Sequence, residues 1–218
     1  MKPTRPGLVL APAAALALLA GCQTAGHQRV DATSARLDQL RASLEKLDGQ
    51  VTAAADSLAA VVEAAAEDPK PGFERYGKDL QAVESSYERA RSQLSAAERE
   101  AGKLFDQWTR NAALISDPDI RALSEKRRDE LKAALDSVVD AMQEAVADLE
   151  GFVSTARDLH TYLGQDLTPA GIHAIADRSR AQSKAARDIS GKLAQVMVAA
   201  EKAAPMFETA KPPPPPKS

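Results

Sequence analysis

A spacing limits this fold more than any other feature of the chain. Apolar and small side chains recur three and four residues apart through four long segments. The first segment runs Val30, Leu37, Leu40, Leu44, Leu47, Val51, Ala54, Leu58, Val61 and Ala65. The second runs from Phe73, Tyr76 and Leu80 through Val83, Tyr87, Ala90, Leu94, Ala97 and Ala101 to Leu104 and Trp108. The third goes from Leu131 and Leu135 to Leu159 and Leu163, and the fourth from Ile172 and Ile175 to Ala200 and Ala203. A helix with 3.6 residues per turn gathers such positions on one stripe, whereas a strand would need alternation in twos. Sustained over several heptads, the stripe is the seam of coiled-coil packing. The expected fold is therefore all-α: an elongated antiparallel bundle of about four long helices with heptad packing, spanning residues 30–207.

The breaks between segments suit that fold. Glu67-Asp68-Pro69-Lys70-Pro71-Gly72 ends one helix and turns the chain. Ser116-Asp117-Pro118-Asp119 offers a cap, a first-turn proline and an acidic residue favoured by the helix dipole. Gly164 is a plausible stop, and Thr168-Pro169 a restart. Connections this short make successive helices antiparallel. Folding at residues 164–168 would set Asp140, Glu144 and Asp148 alongside Lys192, Arg187 and Lys184. Ser179 and Gln182 place polar groups on the fourth seam; this stretch is read as packing at the bundle's edge, with a register-fixing polar layer as the other reading. Leu104-Phe105-x-x-Trp108 reads as a packing cluster.

The N-terminus has a different grammar. Lys2 and Arg5 precede an apolar run, Leu8–Ala20, of thirteen residues, well short of the ~20 that cross a bilayer as a helix. Leu19-Ala20-Gly21-Cys22 follows, and Cys22 is the chain's single cysteine. These four residues resemble the lipobox of bacterial lipoproteins. The resemblance implies cleavage between Gly21 and Cys22, a diacylglycerol thioether on Cys22, and acylation (palmitate, for example) of the new amine. Gln23, standing where an inner-membrane retention aspartate would be, points to the periplasmic face of the outer membrane. The organisation expected is a signal peptide at 1–21, a lipid-anchored linker at 22–29, the bundle at 30–207 and a proline-rich tail at 208–218. Within the tail, Lys211 to Ser218 reads as a stiff polyproline II segment, an inert spacer, with docking on a partner's aromatic groove or crossing the peptidoglycan mesh as the other readings.

From about Phe73 to Leu167 the chain resembles the proteobacterial envelope family called domain of unknown function 2959. The resemblance is carried by Leu104-Phe105-Asp106-Gln107-Trp108, Ile120-Arg121-x-x-Ser124, the Leu-rich third segment, and Asp158-Leu159 leading to Leu163 and Leu167. It implies a coiled-coil envelope protein and brings no activity to transfer. His160-Thr161-Tyr162 departs from the Lys-His-Asn-like run expected there.

No Gly-x-Ser-x-Gly, phosphate-cradling glycine loop or His-Glu-x-x-His occurs in the chain. With Cys22 consumed as an anchor, no thiol remains for catalysis or metal binding, so no enzyme and no cofactor are expected. His160 and His173, with Asp158, Asp166 and Asp177, form the one loose metal candidate; solvent-facing histidines are the reading preferred. Removing residues 1–21 leaves 26 basic against 31 acidic side chains, which gives no reason to expect nucleic acid. The expected function is a structural or protein-interaction lipoprotein with envelope partners or self-association. The alternatives are a membrane-shaping module of the BAR type, using Arg178, Arg180, Lys184, Arg187 and Lys192, or a helical module that binds a metal or small ligand.

Overall fold

The structure is a computed structural model that describes residues 17–208, with side chains from Gln28 onward. The signal-peptide reading falls largely outside the described residues, the Lys211–Ser218 tail wholly so, and with them the side chain of Cys22. The elements are α1 (Ala17–Glu63), α2 (Lys70–Ala112), α3 (Pro118–Gln165), the short α4 (Pro169–Ala174), α5 (Ala176–Ala203) and a closing 3₁₀ turn, Ala204–Phe207. No strand occurs among the described residues. Residues 22–29 carry helical backbone as part of α1.

The helices run up, down, up and down. In the resulting helical bundle α1 lies against α2 and α5, and α3 against the same two. The stripes read from the sequence are its interior. Leu37, Leu40, Leu44, Leu47, Val51 and Val61 on α1 are fully buried, as are Val138, Met142, Leu149 and Leu163 on α3. Seam alanines, among them Ala90, Ala97, Ala145 and Ala200, are buried as well and let the backbones approach. One long core fills most of the rod. A second, built on Leu58, Val61, Tyr76, Leu80, Leu163 and Ile172, closes the end at the α1–α2 turn.

The capping chemistry sits where the sequence puts it at two of the three starts. The Asp117 carboxylate accepts from the backbone N–H groups of Asp119 and Ile120, with Pro118 in the first turn of α3. Thr168 Oγ1 accepts from Gly171 N–H at the start of α4. That turn requires a glycine, because a β-carbon on Gly171 would lie 2.4 Å from Cγ of Asp166 and 2.7 Å from its carbonyl oxygen. Asp166 in turn accepts from the hydroxyl and the amide of Thr168, and these two bonds hold its pKa below the usual carboxylate value. Pro69 precedes α2 without a side-chain cap.

Three expectations need correction. The fourth helix is not continuous: it breaks at Ile175 into α4 and α5. The Ile175 amide bonds the carbonyl of Ile172 in a three-residue step, which eclipses the two isoleucines on one side and buries both. Across the hairpin Lys192 meets the Asp148 carboxylate at 2.7 Å and the Glu144 carbonyl at 3.2 Å, and no pair with Asp140 forms among the described ion pairs. Lys184 pairs along its own helix with Asp188 and lowers the pKa of that carboxylate. Finally, Ser179 and Gln182 are core residues, each 3 % exposed, instead of lying at an edge. Gln182 donates through Nε2 to the Phe152 carbonyl on α3 at 3.2 Å, while its Oε1 is buried without a partner.

Two buried phenols cross between α2 and α3. Tyr76 donates to the Ala156 carbonyl at 2.9 Å, and Tyr87 to Glu150 Oε1 at 2.9 Å. Burial raises the pKa of both; Tyr87, aided by its bond to Glu150, is pushed from 10.0 to about 12. The native state therefore favours the protonated phenol. Its contribution is complete below pH 10 and is lost as pH climbs toward 12. Denaturation midpoints followed from about pH 9 to about pH 12 should fall, and fall less steeply in Tyr87→Phe.

Candidate functional site

The metal candidate does not assemble. The His160 ring stacks on Phe73 of α2, with centroids 4.8 Å apart at 15°, and tilts against Tyr76. Its Nε2 lies over Gly77, where a β-carbon would come within 2.7 Å, so the missing side chain at Gly77 makes the niche. His173 is exposed on α4. Asp166 is engaged by Thr168 and Asp177 by Arg180, while Asp158 is exposed on α3. Among the described residues no group of three or more His, Cys, Asp or Glu side chains could hold a metal ion. His160 acts as an aromatic wedge between α2 and α3.

Three of the six basic residues of α5 are paired with carboxylates. Arg180 pairs with Asp177, Lys184 with Asp188 and Lys192 with Asp148. The grooves beside α5 are open to solvent. One of about 510 Å³, between α3 and α5, is lined by Ala134, Ser137, Ala194, Val198 and Met206, with Lys202 as its charged group.

A more distinctive constellation forms at the α2–α3 hairpin, from residues that carry the family resemblance. Trp108 Nε1 donates to Ser124 Oγ at 2.8 Å and ties the end of α2 to the start of α3. Arg121 reaches back through Nε to the Ile115 carbonyl at 3.0 Å, satisfying a group that the end of α2 leaves open. Arg128 donates to Thr109, and Arg127 to the Met206 carbonyl of the closing turn. Leu104 is buried, Phe105 and Trp108 are partly buried against the core, and Phe105 meets Phe207 with ring centroids 6.4 Å apart. The packing role read for Leu104-Phe105-x-x-Trp108 is what the structure holds. Beyond this clasp, Leu114, Ile120 and Leu123 are 81, 55 and 68 % exposed.

The sequence reading missed Phe207, which is fully buried. A signal was present, since Phe207 continues the Ala200–Ala203 spacing by four, but Pro205 between them reads as a terminator. Cys22 belongs to the same end of the rod as the hairpin. Arg29 on α1 pairs with Glu100 on α2 at 4.0 Å, and from there α1 runs back beside the last turns of α2. No helix among the described residues is long and apolar enough to cross a membrane.

Fold and hairpin together define an all-helical antiparallel bundle closed by an aromatic and arginine clasp. The chain belongs to the family described as proteins of unknown function, DUF2959, whose model matches residues 19–209. That match extends beyond both ends of the Phe73–Leu167 stretch in which the resemblance was read. Neither a curated protein nor a solved structure matches the chain.

Proposed function

We propose that this chain is a lipoprotein of the outer membrane, held at the periplasmic face through Cys22. Its bundle serves as a structural and protein-interaction element of the cell envelope and performs no catalysis. The observation that carries this reading is Leu19-Ala20-Gly21-Cys22 placed directly after the short apolar run Leu8–Ala20. Two or more acyl chains on Cys22 would anchor the protein stably, whereas one would hold it only marginally. The fold is compatible with the role. At 1.5 Å per residue, the 48 residues of α3 extend about 70 Å, so a rod anchored at one end offers helix faces well away from the bilayer. The membrane-shaping alternative needs an unmatched basic face, and three of its five candidate residues are engaged by carboxylates.

Crosslinking in intact cells tests the interaction role. Discrete adducts with envelope proteins, or with a second copy of the chain, are the expected result. A protein that stays monomeric and without partners under conditions that trap other envelope complexes would count against it.

A further inference from the structure

The two ends of the rod differ in chemistry. At the α1–α2 turn Glu67, Asp68 and Lys70 are exposed beside the small Ala66 and Pro71, with no large apolar side chain exposed among them. At the α2–α3 turn, Leu114, Ile120 and Leu123 stand in solvent within ten residues of one another. Single exposed apolar residues are ordinary, but a cluster at one extremity marks a contact surface. Residues 110–126 hold three basic side chains (Arg110, Arg121, Lys126) and three acidic ones (Asp117, Asp119, Glu125), so that stretch has no net formal charge. Its partner must therefore be recognised by apolarity.

Position selects that partner. Because Arg29 is level with Glu100, Cys22 is level with about Gln107, and the tip reaches only about 10 Å beyond it. An acylated Cys22 would hold the tip against the bilayer surface, and interfacial segments bury their apolar side chains ~5–10 Å deep. We propose that the α2–α3 tip inserts Leu114, Ile120 and Leu123 into the lipid surface at which the chain is anchored, giving the rod a second point of attachment. The proposal rests on the anchoring reading for its geometry. Two contacts would fix the rod's tilt, which a flexible acyl tether alone would leave free.

The test uses full-length lipidated protein in phosphatidylcholine vesicles. Leu123→Cys supplies a single labelling thiol once Cys22 is acylated, and Asp68→Cys supplies the control at the far end. An environment-sensitive fluorophore should shift to the blue at position 123 and be quenched by lipid-borne spin labels at least fivefold more than at 68. Adding anionic lipid or salt should change little, and Leu114→Asp in the Leu123→Cys background should abolish the shift. A probe at 123 that an aqueous quencher reaches as readily as at 68 would overturn the proposal. So would a blue shift without lipid quenching, which would assign the patch to a second copy, or insertion confined to anionic vesicles. The mass at Cys22 separates the two readings. Acylation with an aqueous tip rejects insertion alone; an unacylated Cys22 rejects the anchor, and Cys22→Ser with Leu123→Cys then keeps one labelling thiol and reads tip insertion by itself.

Discussion

Replacing Phe207 with alanine should lower the unfolding free energy by about 3–5 kcal/mol, the range for removing a buried phenylalanine. Phe207 is fully buried although it lies past the last helix, in a 3₁₀ turn that packs on α1 and α5. Its ring meets Phe105, and the adjacent Met206 carbonyl accepts from Arg127. Truncation would leave a cavity where α1, α2 and the closing turn converge. The surface can collapse there only by moving the turn and releasing the Arg127 contact. Leu114→Ala is the matched control: that side chain is 81 % exposed and should change stability by no more than ~0.5 kcal/mol. Chemical denaturation of both variants beside the parent protein measures the difference. Equal effects would mean that the C-terminal turn does not close the core.

The second large effect concerns location. In cells producing Cys22→Ala behind a signal that is cleaved without a lipobox, so that residues 1–21 do not stay attached, the protein should leave the membrane fraction almost completely, because each buried methylene of an acyl chain contributes about 0.8 kcal/mol to binding. Loss of two or three such chains far exceeds what a few apolar side chains at the tip could offset. Fractionation with quantitative immunoblotting would follow the change. A Cys22→Ala protein that still sediments with membranes in the parent's proportion would show that something other than Cys22 retains it.

The helices were legible because a bundle writes its core into the chain as a period. Leu131, Leu135, Val138 and Met142 are buried in the order their spacing dictates, and the same holds from Ile172 to Ala203. Caps at Asp117 and Thr168 were legible because a short polar side chain before a first-turn proline has few other uses. Ion pairing was less so. Sequence spacing shows which face is buried but not which of several nearby carboxylates a long lysine reaches: Lys192 crosses to Asp148, while Lys184 bonds Asp188 on its own helix. Polarity misled at Gln182, where one hydrogen bond to the Phe152 carbonyl makes a buried amide tolerable.

The hairpin clasp was half visible. Trp108, Arg121 and Ser124 could be picked out as a pattern, yet their pairing depends on how α2 and α3 meet, and that lies in the tertiary fold. The histidines failed as a site for the same reason: nearness in sequence at a turn does not decide which way a ring faces. Phe73 and the vacancy at Gly77 drew His160 onto α2.

The proposed function turns on Cys22 as the covalent tether of a helical rod. Mass spectrometry of the N-terminal peptide from protein purified out of envelope membranes tests it most directly. The expected product is a chain that begins at Cys22 and carries a diacylglycerol thioether with an acylated amine. A chain that retains residues 1–21, or begins at Cys22 with a free thiol, would contradict it.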